Sequence, residues 1–272
     1  MWNGEELDLD AYLARIGHSG DLAPDLGTLR AVHRAHVGAI PFENLDVALG
    51  RRVPLDVKSL QAKLVQRRRG GYCYEQNSLL AAALERIGFR VAGRGARNRT
   101  RGNALVPVTH ALLVVTIDGE RWLVDAGFGS QGPLEPVPLV EGARVDQDGW
   151  TFGVGVEEEG VHVLRALRPQ GWTDLYAFAP HTLYPADFEL MNHYSSSHPW
   201  SRFLGQVVVH QPGPEVRRAL IRTGLTSVYV DGTSEEQTVG PHELVATLCE
   251  VFGIELDDEE AAGLVRVQSA EV

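Results

Sequence analysis

The sequence predicts an α+β fold, and three observations predict it. The first third carries apolar residues at helical spacing, the hydrophobic period shortens after Gly88 to that of short strands, and the last part mixes the two. Residues 10–17 place Leu13 and Ile16 one turn apart before a glycine stop. Residues 26–38 form a second helix through Leu29, Val32 and Ala35, and Ser59 is the expected N-cap of a third over 60–66. The next begins at Cys73, runs through Leu79, Leu80, Ala83, Leu84 and Ile87, and ends on Gly88 as its C′ residue. Strands are expected at 89–92, 106–117, 121–124, 150–156, 161–164 and 173–178, punctuated by Asp118-Gly119, Asp148-Gly149 and Gly160. Short strands in such succession suggest an antiparallel sheet or a barrel. The final segment holds strands at 207–209 and 227–230 and a last helix at 242–252. No repeat or low-complexity linker interrupts the chain, so its parts should pack as one body.

Composition narrows the function. At 272 residues and 44% hydrophobic content the chain can bury a large core. A net charge of −11 argues against a nucleic-acid partner, while leaving room for a local basic patch that takes an anionic cofactor such as CoA. No apolar run approaches the roughly 18 residues of a membrane span. The start, Met1-Trp2-Asn3-Gly4-Glu5-Glu6, lacks the basic and apolar regions of a signal peptide, so a cytoplasmic location is expected. Two cysteines, Cys73 and Cys249, make no disulfide framework. Cys249 lies in an amphipathic helical stretch and reads as a small buried hydrophobe.

Cys73 stands in Arg69-Gly70-Gly71-Tyr72-Cys73-Tyr74-Glu75-Gln76-Asn77, where a glycine pair opens directly into a helix. A helix N-terminus carries partial positive charge and free N–H groups, both of which favour a thiolate, the reactive form of cysteine. His110 heads an apolar strand and Asp125 closes the next. If Asp118-Gly119 is a two-residue hairpin loop, residue 117 pairs with 120, Asp125 lies opposite Leu112, and His110 lies opposite Gly127. His110 and Asp125 then share one face as diagonal neighbours, roughly 7–8 Å apart between backbones, a gap that a ring and a carboxylate can close. An unassisted thiol with a pKa of about 8.5 is mostly protonated at neutral pH. An imidazole can take its proton, and a carboxylate on the far ring nitrogen fixes the tautomer. Such a group attacks acyl carbons and passes the acyl group from a thioester to water or an amine. Each part also has a structural reading: a cysteine packed at a helix start, one of ten histidines on a strand, and an aspartate in a turn.

Other signals are weaker. Arg94, Arg97, Arg99 and Arg101 crowd a Gly/Asn-rich stretch ahead of the histidine strand, as a solvated loop or a patch that steers an anionic donor. Arg67 and Arg68 read as solvated helix-end charges. His33-Arg34-Ala35-His36 has metal-type spacing without a third ligand nearby, so no metal is expected. No Walker or dinucleotide fingerprint is present.

At these residues the sequence resembles the arylamine N-acetyltransferase family, in its bacterial form. Asp8-Leu9-Asp10-Ala11-Tyr12-Leu13-Ala14-Arg15-Ile16-Gly17 resembles its first helix, and Ile40-Pro41-Phe42-Glu43-Asn44-Leu45 its early turn. The Arg69–Asn77 stretch fits the RGGxCxExN nucleophile motif throughout. Thr109-His110 and Val124-Asp125-Ala126-Gly127-Phe128-Gly129 fit the segments of the catalytic His and Asp, and Ser197-His198-Pro199-Trp200-Ser201-Arg202-Phe203 resembles a later bacterial segment. The likeness covers most of residues 8 to 205.

The resemblance implies three parts: a helical bundle (1–88) carrying the nucleophile, a central antiparallel β-barrel (89–190) carrying His and Asp, and a C-terminal α/β lid (191–272). It implies ping-pong transfer of an acetyl group from acetyl-CoA to an arylamine, hydrazine or N-hydroxyarylamine, the CoA thioester being the donor. Cys73 is then the acylated nucleophile, His110 the general base and acid, and Asp125 the orienting carboxylate. Glu43 and Arg69 form a supporting ion pair behind the site. Gly127, Phe128, Gly129 and Ser130, in a stretch running to Gly132, approach the CoA phosphates through an anion nest of backbone N–H groups. Phe42 and Phe128 wall the acceptor pocket. The alternative is an amide synthase of the same fold that closes a polyketide macrolactam from a carrier-protein thioester. A Cys-His-Asp hydrolase or transglutaminase-like enzyme and an inactive binding module are more distant readings.

Overall fold

A computed structural model describes residues 1–100, 102 and 105–269, and its amino-terminal part is helical. Asp8 caps α1 (Leu9–Ile16) by accepting the Ala11 N–H, and Gly17 ends it in the left-handed region. Asp25 caps α2 (Leu26–Ala39) in the same way through Thr28. A two-residue strand, β1 (Phe42–Glu43), and a single turn, α3 (Leu45–Ala48), follow. The next helix, α4 (Val57–Leu60), continues into a π-helical turn at Gln61–Gln66. Its cap is Asp56, which accepts the Ser59 N–H; Ser59, expected as the cap, lies inside the first turn. The cysteine helix, α5 (Cys73–Ile87), is buried on every side over 73–84, so it lies at the centre of the molecule.

The strands that follow are β2 (Arg90–Asn98), β3 (His110–Ile117), β4 (Glu120–Val124), β5 (Val137–Pro138), β6 (Arg144–Gln147), β7 (Trp150–Val156), β8 (His162–Arg168) and β9 (Gly171–Phe178). They form one antiparallel sheet in the order β5-β4-β3-β2-β9-β8-β7-β6, and β5 returns toward β7, so the sheet is a nearly closed barrel. Asp118 and Gly119 both take positive φ, 49° and 85°, as a two-residue hairpin of this twist requires. The register is the expected one, from Ile117↔Glu120 to Leu113↔Val124.

Two expectations fail nearby. The strand expected from 106 begins only at His110, and β2 runs to Asn98 instead of stopping at 92. Gly93 and Gly95, which read as loop residues, sit in β2 because neighbours come too close for a side chain: a Cβ on Gly93 would lie 2.7 Å from the Leu183 carbonyl oxygen, and one on Gly95 2.7 Å from Val108 Cγ1. The arginine loop is therefore mostly strand. Arg94 is buried and donates to the Gly93 carbonyl and Thr182 Oγ1, and Arg99 pairs with Glu157 and Asp174. Arg101 lies outside the described residues.

The carboxy-terminal part comprises α6 (Pro185–Ser197), β10 (Val208–Gln211), β11 (Val216–Ile221), β12 (Gly224–Tyr229), β13 (Ser234–Thr238), α7 (Leu244–Phe252) and α8 (Asp258–Ser269). A second antiparallel sheet has the order β1-β10-β11-β12-β13, so residues 42–43 head a sheet whose other strands begin after residue 207. Leu220, Leu225, Leu244, Leu248, Phe252 and Leu264 make an apolar cluster between this sheet and the last helices. Cys249 falls off the buried face of α7 and is exposed, contrary to the expectation of a buried hydrophobe.

Candidate active site

The start of α5 is built by close approach. A Cβ on Gly70 would lie 2.1 Å from the Pro41 carbonyl oxygen, and one on Gly71 2.8 Å from the Glu75 side chain. Only glycine lets the 40–43 segment pass this close, and it bridges there, Glu43 N–H donating to the Gly71 carbonyl. Glu75 accepts the Tyr72 N–H and closes the first turn. Cys73 is then the first helical residue and only 3% exposed. Gly127 presses on it from the barrel, since a Cβ there would lie 2.5 Å from Cys73 Cα.

His110 is the first residue of β3, and Asp125 follows β4 immediately. The hairpin register puts both on one face, and His110 Nε2 lies 2.7 Å from Asp125 Oδ2. The carboxylate fixes the tautomer with the proton on Nε2 and leaves Nδ1 for Cys73. Burial alone lowers the His110 pKa; the Asp125 charge and hydrogen bond, helped by Cys73, outweigh it and push it up to about 10. Burial works against the Asp125 carboxylate too, yet His110, Asn77 Nδ2 and the Gly127 N–H hold its pKa below the usual value.

Several supporting residues escaped the sequence reading. Asn77, one turn after Cys73 on the same face of α5, donates to Asp125 Oδ1 at 3.1 Å and accepts the Ala126 N–H. Its i+4 spacing from Cys73 was the available signal. His33 accepts the Asp125 N–H at Nε2, 3.2 Å away, and its Nδ1 donates to the Leu134 carbonyl. Tyr176 packs its ring 4.9 Å from the His110 ring. His36 bonds Tyr12 Oη and Gln76 Oε1, and burial lowers its pKa to about 3. All ring nitrogens of the His33/His36 pair are thus engaged inside the protein.

Arg69 Nε donates to Glu43 Oε1 at 3.1 Å, and both side chains are buried. The pair belongs to a larger charged cluster in which Lys63 contacts Asp46 and Glu75, and Arg67 and Arg69 both contact Glu260 of α8. Arg67, read as a solvated charge, is exposed and also pairs with the last helix. Phe42 packs 5.3 Å from His210, whereas Phe128 packs 5.0 Å from His110 and 4.8 Å from Tyr176. In the glycine-rich loop, the N–H groups of Gly127, Ser130 and Gly132 bond Asp125, His210 Nδ1 and the Gly129 carbonyl, which removes them from an anion nest. Two cavities, of about 260 and 370 Å³, are lined by neither Cys73, His110 nor Asp125. Among the described residues no helix is long and apolar enough to cross a membrane.

A thiol at a helix start, an imidazole and a buried carboxylate in series can pass a proton off sulfur, the first requirement of acyl transfer through cysteine. Residues 25–261 match a family model described as N-acetyltransferase, which sets the class. The arylamine N-acetyltransferase of Mycolicibacterium smegmatis is 38% identical over 259 residues, covering 93% of this chain and 94% of that one. The crystal structure of Nocardia farcinica arylamine N-acetyltransferase superposes with a TM-score of 0.92 at 42% identity, covering 97% of this chain and 95% of that one. The Mycobacterium marinum enzyme, solved in complex with CoA, gives 0.89 at 32% identity, covering 96% and 99%. The chain belongs to the arylamine N-acetyltransferase family.

Proposed function

We propose that the protein moves an acetyl group from acetyl-CoA to an arylamine, hydrazine or N-hydroxyarylamine through a thioester on Cys73. The observation that carries this reading is the His110–Asp125 bond at 2.7 Å beside a cysteine at the first position of a buried helix. The CoA complex of the Mycobacterium marinum relative supports the choice of donor.

In this reading His110 already holds the proton that Cys73 gives up, on Nδ1, and the sulfur so freed attacks the acetyl thioester carbonyl. The tetrahedral intermediate collapses, the C–S bond to CoA breaks, and the departing thiolate takes the proton from the imidazolium. The amine then attacks the acetyl-cysteine carbonyl, His110 removes the amine proton, and collapse of the second intermediate gives the amide and restores the thiol. Asp125 stays ionised and stabilises the imidazolium at each stage. Residues 1–88 supply the nucleophile, 89–190 the His–Asp pair, and 191–272 a lid, with Gly127-Phe128-Gly129-Ser130 bordering the donor and Phe42 and Phe128 the acceptor. Glu43 and Arg69 hold the loop ahead of Cys73.

Intact-protein mass spectrometry tests it. Acetyl-CoA should add one acetyl group on Cys73, and an arylamine such as anisidine, or a hydrazine, should discharge it. No loading by acetyl-CoA, but loading by a longer acyl thioester, would reject acetyl transfer. Loss of the acyl group to water at the same rate without amine would make the enzyme a hydrolase. Cys73→Ser, a small volume change, should keep the fold by circular dichroism and abolish loading; retained loading would remove Cys73 from the mechanism.

A further inference from the structure

Arg217 on β11 is 3% exposed, and no carboxylate pairs with it or with its neighbour Arg168 among the described residues. Its Nη1 donates to the Ser130 and Gly132 carbonyls at 2.8 Å each, and its guanidinium lies 4.3 Å over the Trp150 ring. Its Nε and Nη2 are buried without a hydrogen-bond partner. Burial, and then the nearby Arg168 charge, lower its pKa to about 9, so Arg217 is cationic at neutral pH. Arg217, Arg168, Ser130, Gln131, Trp150 and Thr226 line a cavity of about 370 Å³ between the barrel and the second sheet, within the size range of small-molecule sites.

A buried guanidinium with donors left over, faced by a half-buried second guanidinium and paired with no acid, is a costly arrangement without an anion. We propose that Arg217 and Arg168 form a binding site for a phosphate or diphosphate group. The guanidinium fork matches phosphate oxygens, and two cations suit a multiply charged anion better than a single carboxylate. The source that the fold favours is the diphosphate of the acyl donor, and this part rests on the CoA reading above. The loop that contacts Cys73 at Gly127 contacts Arg217 at Ser130 and Gly132, and five residues of chain reach at most about 18 Å. That separation is within the span of the pantetheine arm of a thioester held at Cys73.

Calorimetric titration of the full chain with inorganic pyrophosphate tests the site, using wild type, Arg217→Gln and Arg168→Gln. Arg217 also clamps the 130–132 carbonyls, so Arg168→Gln decides the matter if the first variant does not fold. The expected result is one pyrophosphate site in wild type and at least a tenfold weaker one in each folded variant. Absence of binding to wild type, or equal binding by Arg168→Gln, overturns the proposal. The second arm compares kcat/KM for acetyl-CoA with that for S-acetylpantetheine, which has no phosphate. A tenfold fall in this ratio in Arg168→Gln assigns the site to the donor; an unchanged ratio with lost pyrophosphate binding assigns it to a free phosphate ligand. If wild type transfers no acetyl group from either donor, the transferase reading fails, while the titration still decides the site.

Discussion

His110 keeps its proton into the alkaline range because Asp125 faces it, and this has a definite sign. Its folded pKa, about 10, lies above the ordinary value of about 6.5, so the contact stabilises the fold fully below that value and is lost as pH rises through about 10. Asp125→Asn removes the charge but keeps the shape. Burial then dominates at His110, its pKa falls, and the alkaline limb of Cys73 acylation should move down by at least one pH unit. The rate should drop on the order of 10³–10⁴-fold, as loss of tautomer control predicts. A pH profile of single-turnover acylation checks both, and an unmoved limb would make the aspartate merely structural. The His110–Asp125 pair was legible in the sequence because a two-residue loop fixes the faces of a hairpin. His33 was not, since its partners are a backbone N–H and a carbonyl from residues 125 and 134. His33→Leu should leave those two groups unpartnered at about 1–3 kcal/mol each, read as a lower urea midpoint at unchanged slope.

Among the elements, α8 bears on the site through one residue. Glu260 Oε1 accepts from Arg51, Arg67 and Arg69 at 2.8–2.9 Å, and Arg69 in turn holds Glu43 just ahead of the Gly70-Gly71 turn. Burial raises the Glu260 pKa, but the Arg67 hydrogen bond and the Arg69 charge outweigh it and keep it low. Its contribution is therefore present above the ordinary carboxylate range and lost as pH falls through the folded value. Glu260→Gln should cost roughly 3 kcal/mol at neutral pH, because it takes one of its anions from the buried Arg69 guanidinium, and the difference should narrow in acid. Urea unfolding at about pH 7 and about pH 3 measures it; an equal cost at both would show packing, not charge. Neither α8 nor α6 announced itself in the sequence. Their buried faces are largely polar, with Phe188, Asn192 and Ser195 on α6 and Glu260, Gly263, Leu264 and Gln268 on α8, so no apolar period marks them. Helices α1, α2 and α5 were legible because apolar side chains or glycine stops carry their pattern.

At the scale of the whole molecule, β1 ties the amino-terminal helices to the carboxy-terminal sheet. Two residues are too few to show a strand period, and the partner, β10, lies more than 160 residues away, so this pairing left no local trace in the sequence. Asn44 fastens the same junction: its Nδ2 donates to the Phe203 and Gln206 carbonyls and its Oδ1 accepts the Val208 N–H, all within 2.9 Å. Phe42 and Val208 also belong to the core cluster that runs through the bundle and barrel. Parts joined by a shared sheet, a shared core and the Glu260 cluster should unfold together. Scanning calorimetry should show one transition with calorimetric and van't Hoff enthalpies in agreement. Asn44→Ala strands three backbone groups, at roughly 1 kcal/mol apiece, and at about 2–4 °C per kcal/mol should lower the midpoint by roughly 6–12 °C. The peak should stay single, because β1 still pairs with β10. Two resolved transitions in the unaltered protein would mean that the second sheet folds on its own, and that its contact with the loop behind Cys73 is a docking event instead of part of the fold.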